Sequence, residues 1–118
     1  MKGIKNDTGK NRVDLIPVDY IEKLGLCLTY GASKYGANNW QGLDKGKDRY
    51  YGALLRHAIS YRKGKIIDEE SGLHPLHQMA INCMFLFHFE DDEKYKEELN
   101  KWIKNNPKKS EWIKKLQS

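Results

Sequence analysis

Apolar side chains recur at helical spacing in several stretches of this chain, with Gly, Asn or Pro signals between them. The most apolar stretch, His74 to Phe89, has Pro75 in what would be a first helical turn and no breaker before Glu90, which predicts a helix. At about 100° per residue, Leu76, Met79, Ala80, Cys83, Met84, Leu86 and Phe87 share one broad face, expected to be core. His74, His77, Gln78, Asn82 and His88 gather in the remaining arc, with Ile81 and Phe85 among them. Buried polar groups need hydrogen-bond partners, so this arc is either a satisfied layer between packed helices or the lining of a pocket.

Earlier in the chain, Pro17 opens a helix carrying Val18, Ile21, Leu24 and Leu28, with Asp19 and Glu22 near its positive end and Gly36 as its stop after Tyr35. The loop that follows places Trp40 outside any periodic segment, where it either stacks on a ligand ring or plugs the edge of the core. A second helix is expected from Asp48 to Lys63, with Tyr51, Leu54, Leu55, Ala58 and Ile59 as its apolar face. Arg49, Arg56, Ser60 and Lys63 form one stripe of that helix, and Tyr50, His57 and Tyr61 the adjoining one. Such a pair of stripes can grip phosphate with Arg and stack a ring; the plainer reading is a solvated basic face. The acidic run Glu90 to Asp92 then reads as an exposed corner ending the 74–89 helix. Tyr95, Leu99, Trp102 and Ile103 mark a fourth helix, broken at Asn105-Asn-Pro107, and Ser110 can cap a last short one. The expected fold is therefore all-α: a compact bundle of about four helices plus a short C-terminal helix, assembling as a homo-oligomer. Residues 1–92 form its core with an N-terminal arm, and 93–118 a basic helical tail of the same domain.

Composition narrows the partners. The 118 residues suffice for one core, and the net charge of +5, concentrated between Asp44 and Lys65, favours anions. Cys27 and Cys83 sit at apolar helix positions, as small hydrophobes in a reducing, cytoplasmic setting do. The polar opening residues carry no signal-peptide pattern, and no apolar run reaches a membrane span's length, so no membrane partner is expected. Alternating Lys and Glu in the tail argue against nucleic acid.

Candidate chemistry sits at two further places. Lys10 and Arg12, beside Gly9, offer cations on an arm that can either fold over a phosphate or stay solvated. Asp68, Glu69 and Glu70 precede a helix start, where the dipole favours them, and their oxygens also suit Mg²⁺.

The order Asp7-Thr-Gly-Lys-Asn-Arg-Val-Asp-Leu-Ile-Pro17, Gly31-Ala-Ser-Lys-Tyr-Gly-Ala-Asn-Asn-Trp40, Leu54-Leu-Arg-His57 and Asp68-Glu-Glu-Ser-Gly-Leu73 resembles a family of small, mostly phage-encoded proteins, the dATP/dGTP diphosphohydrolase N-terminal domain. The resemblance spans roughly residues 5–89. It implies a helical nucleotide-handling protein with Lys10, Arg12, Lys34, Tyr35, Asn39, Trp40, Arg56, His57, Asp68, Glu69, Ser71 and Asn82 near the ligand. It also points to MazG-like all-α pyrophosphohydrolases, whose paired helices hold Mg²⁺ through E-E-x-x-E and E-x-x-D spacings; this chain carries neither spacing. Arg, Lys, Asn and stacked rings can bind a nucleotide without a metal, whereas phosphoanhydride cleavage calls for charge neutralisation and an activated water. The residues thus favour a phage-type protein that binds a purine nucleotide without turnover and needs no cofactor. Such a protein could sequester a host nucleotide immune signal in a pocket between subunits. The alternative is a Mg²⁺-dependent dATP/dGTP diphosphohydrolase, with His57 or His77 as metal ligand or base and Asp68 and Glu69 on the metal.

Overall fold

A computed structural model describes residues 9–116, which form five α-helices and two short 3-10 turns, with no strand among the described residues. The helices are α1 (Val18–Tyr35), α2 (Gly46–Arg62), α3 (Pro75–His88), α4 (Asp92–Asn105) and α5 (Glu111–Leu116). They fall into two units, Pro17–Glu90 and 9–16 with 91–116.

In the first unit α3 packs against both α1 and α2. It begins as its sequence suggests, with Pro75 in the first turn and His74 as N-cap, whose Nδ1 accepts the Leu76 amide at 3.0 Å. The ring pairs Tyr50–Phe85 and Tyr61–His74 set α2 antiparallel to it, with centroids 4.7 and 6.4 Å apart. The same register brings the start of α2 against the end of α3. A Cβ at the buried Gly46 would stand 2.6 Å from the Phe89 ring, so glycine permits a helix to start there, two residues before the sequence suggests. Gly46→Ala should cost about 1–2 kcal/mol by overpacking, and Phe89→Leu in the same chain should return part of it. Urea denaturation midpoints of the two variants check this.

The inward face of α3 differs from the expected one. Ile81 and Asn82 are buried and Phe85 is half-buried, whereas Leu76, Cys83, Met84 and Phe87 are exposed, Phe87 at 59%. A helix apolar around most of its circumference has little periodicity to choose a face, and partner groups choose instead. Tyr50 and Trp40 meet Phe85, and the 68–74 loop meets Gln78. On α2, likewise, Tyr51, Leu55 and Ile59 are exposed, while Tyr50, Leu54, His57 and Ala58 are partly covered.

In the second unit the acidic run has a role that its reading as an exposed corner does not include. Asp91 caps α4 by accepting the Lys94 amide at 3.1 Å, and Asp92 and Glu93 occupy the first turn, where the helix dipole favours negative charge. Ser110 is fully buried and donates its hydroxyl to the Ile103 and Pro107 carbonyls, tying the start of α5 to the end of α4. A Cβ at Gly9, where φ is +89°, would lie 3.0 Å from the Lys115 carbonyl oxygen, so glycine suits the place where the arm meets the end of α5.

Candidate functional site

The connector between α2 and α3 folds on itself before α3 begins. The Asp68 amide donates to the Leu73 carbonyl at 2.9 Å and the Gly72 amide to the Asp68 carbonyl at 2.7 Å. Inside this loop, Asp68 Oδ2 accepts both the Ser71 amide at 3.0 Å and the Ser71 hydroxyl at 2.7 Å. Ser71 Oγ in turn accepts the Leu73 amide at 3.2 Å and Gln78 Nε2 at 3.4 Å. One turn further along α3, Asn82 donates to the Gln78 carbonyl at 2.9 Å. Gln78 and Asn82 thus find partners in the loop and in their own helix. One buried atom does not: Gln78 Oε1 has no hydrogen-bond partner.

His57 faces this network from α2. Burial pushes its imidazole below the usual range, with the Arg56 charge adding to the effect and the Asp68 carboxylate opposing it, so the ring is neutral at pH 7. Burial alone would raise Asp68, but hydrogen bonds from Ser71 and Gln78, with the His57 charge, outweigh it and hold the carboxyl below the ordinary value. A neutral imidazole in the field of an ionised carboxylate can accept a proton.

At the rim, Lys34 near the end of α1 pairs with Glu70, which also accepts the Tyr30 hydroxyl at 3.3 Å. The Lys34 ammonium sits 5.5 Å from the Tyr30 ring centroid and 5.1 Å from that of Tyr35. The hydrogen bond and charge of Glu70 hold Lys34 far above the ordinary amine range, and Lys34 in turn holds Glu70 below the carboxylate range. All of this is solvent-exposed, so the pair contributes little to stability.

The other candidates named from the sequence lie elsewhere. Trp40 stacks on Phe85 at 4.5 Å and meets His88 edge-on at 5.0 Å, and its carbonyl accepts the Tyr50 hydroxyl at 3.2 Å. Asn39 is exposed in the 3-10 turn Asn39–Gly42. Arg56 is exposed and lies back along its own helix, with its guanidinium against Gly52. His77 meets Tyr20 of α1 edge-on at 5.3 Å rather than the Asp68 loop. Glu69 points outward, 3.9 Å from Lys65. Arg12 makes two 2.9 Å bonds to Asp14, and with Lys10 it belongs to the second unit. Rings fill the seam between α2 and α3, so the pocket expected from the polar arc is not an open cleft between those helices.

The sequence model described as dATP/dGTP diphosphohydrolase, N-terminal, matches residues 1–101. The chain belongs to that family. A relative named dATP/dGTP diphosphohydrolase, from Salmonella phage PMBT28, is 39% identical over 87 residues, which are 74% of this chain and 29% of that protein. The chain therefore spans less than a third of the relative that it matches. No solved structure matches it.

Some side chains at the site carry weaker signals in the sequence than others. Gln78 was visible as part of the polar arc, but only the loop geometry gives its amide a partner. Tyr30 and Glu70 had a fainter signal: Tyr30 stands one turn before Lys34, and Glu70 belongs to the acidic run.

Proposed function

We propose that this chain handles purine deoxynucleoside triphosphates, as the nucleotide-handling portion of a dATP/dGTP diphosphohydrolase. The reading is carried by the family match over residues 1–101 and supported by a neutral, half-buried His57 facing the Asp68–Ser71–Gln78 network. In the proposed reaction, water adds to the α-phosphorus as His57 accepts its proton. The bond to the α–β bridging oxygen breaks, and the electron pair leaves with pyrophosphate. Lys34, at the rim through Glu70, and Arg56, next to His57 in the chain, are cations that could offer charge to the phosphates.

Mg²⁺ is the cofactor that such a reaction implies. Among the described residues no three His, Cys, Asp or Glu side chains converge on a metal-sized site. Asp68 is engaged by Ser71, Glu69 reaches towards Lys65 and Glu70 pairs with Lys34. This donor set does not fit a metal centre built from these side chains alone, and no step is drawn through one. The same observation favours a second reading, in which a purine nucleotide, a host nucleotide signal among the candidates, is held without turnover.

Incubating the full chain with dATP or dGTP, with and without Mg²⁺, followed by chromatography, separates the two. Accumulation of monophosphate and pyrophosphate supports hydrolysis. Intact nucleotide recovered only after heat denaturation supports holding. Neither outcome removes both readings.

A second copy of the chain belongs to this proposal. Tyr51, Leu55 and Ile59 on α2, with Leu76, Met84 and Phe87 on α3, leave apolar stripes uncovered on two antiparallel helices, whereas Cys27 and Ile81 are the buried hydrophobic side chains among the described residues. A two-fold axis would set like stripes together. Light scattering is expected to give at least twice the 13.8 kDa chain mass.

A further inference from the structure

Away from the Asp68 network, α1, the connector and the start of α3 border an open cleft of about 190 Å³ lined by Lys23, Leu26, Ile66, Leu73, His74 and His77. We propose that this cleft is a binding site for a small phosphate-class oxyanion of pyrophosphate size, held by Lys23, His74 and His77. The inference rests on the hydrolase reading only for the choice of anion, since pyrophosphate is the product of the proposed reaction.

The donors converge because of helical spacing. His74 and His77 are three residues apart at the start of α3, with ring centroids 5.4 Å apart, and Lys23 and Leu26 are three apart on α1. His74 Nδ1 already accepts the Leu76 amide, which leaves Nε2 as the ring nitrogen available to donate. Tyr20 packs edge-on against His77, and Tyr61 of α2 lies 6.4 Å from His74. Leu26, Ile66 and Leu73 supply apolar edges; Leu26 and Ile66 are themselves exposed, so the anion would be held by charge and hydrogen bonds at the surface and its binding should weaken with salt.

The cluster has unbalanced charge. Burial and the neighbouring His74 and Lys23 all work against a proton on His77. Among the described residues no carboxylate lies within ion-pair distance of Lys23, His74 or His77. Asp19 and Glu22 line a separate open depression that shares Lys23 and Leu26, so an anion is drawn to the histidine side of Lys23 and repelled on the other. The positive end of α3 adds a field of the same sign. The volume suits a small oxyanion and falls short of the usual pocket for a whole nucleotide.

The test is histidine-ring NMR of the full chain at low ionic strength, titrated with inorganic pyrophosphate and, in parallel arms, orthophosphate and acetate. We expect saturable shifts of the His74 and His77 ring signals with pyrophosphate, a rise in the apparent pKa of His77 when it is bound, and weaker effects with acetate. Lys23→Gln, at an exposed position, should lower pyrophosphate affinity about tenfold while the helical circular dichroism is unchanged. His77→Gln should do the same. No saturable shift at millimolar pyrophosphate overturns the site, as does a Lys23→Gln variant that titrates like the parent. Hydrolysis of dATP or dGTP with no pyrophosphate-induced shift defeats the site and leaves the function standing. Pyrophosphate binding in a chain that neither holds nor cleaves the nucleotides does the reverse.

Discussion

Trp40→Ala is expected to lower the unfolding free energy by about 2–3 kcal/mol, somewhat below the full cost of truncating a buried indole because this ring is only partly covered. Two ring contacts are lost together, the stack on Phe85 and the edge contact with His88, each of a kind that adds about 0.5–1.5 kcal/mol beyond simple burial. Phe85 would also lose the cover that keeps its face of α3 inward, so the effect reaches the α2–α3 seam through Tyr50. Trp40→Phe keeps a ring in place and should cost about 1 kcal/mol or less. Urea denaturation followed by far-ultraviolet circular dichroism gives both numbers. The same experiment decides between the two roles that the sequence allows this residue. A Trp40→Ala chain with parental stability but lost nucleotide affinity would return the indole to ligand stacking.

His57→Gln is expected to reduce turnover of dATP or dGTP by about 10²–10³-fold while leaving nucleotide affinity within a few-fold, because glutamine fills the space and hydrogen-bonds but cannot take the proton. The pH profile should carry the same signature. Burial, with Arg56, lowers the His57 pKa from 6.5, so the parent's rate should rise with pH through a value below 6.5 and level off above it. The variant should lose that limb. The stability sign follows from the same shift. The unfolded imidazole binds its proton more readily than the folded one, so stability is fully present above about pH 6.5 and declines as pH falls through the folded pKa. His77, lowered by burial and by its cationic neighbours, contributes in the same direction. A folded His57→Gln chain that turns over nucleotide at the parental rate would remove His57 as the base.

Helix positions were legible because their signals are local. Pro17, Gly36, Gly64, Pro75 and Pro107 punctuate the chain, and α1 to α4 begin and end within about two residues of where those signals put them. The orientation of α3 was not legible. Its 3.6-residue pattern is blurred by apolar residues on every side, and the groups that meet its inward face, the Ser71 hydroxyl at Gln78 and the Tyr50 and Trp40 rings at Phe85, lie in a loop or far away in sequence. The candidate site divided for the same reason. His77 and Gln78 are adjacent in the chain but about 100° apart around the helix, so one meets Tyr20 and the other Ser71. Arg56 illustrates a further limit. It lies on an exposed side of α2, yet a long side chain can lie along its own backbone, and the small Gly52 one turn earlier gives the guanidinium room to do so.

The meeting of Gly9 with the Lys115 carbonyl has a topological consequence. The two extremities of the described chain are neighbours, so a few glycines linking them would close a ring at little entropic penalty. A ring reopened at the exposed turn after α2, between Gly64 and Lys65, would keep all five helices whole while sending α3, α4 and α5 out of the ribosome ahead of α1 and α2.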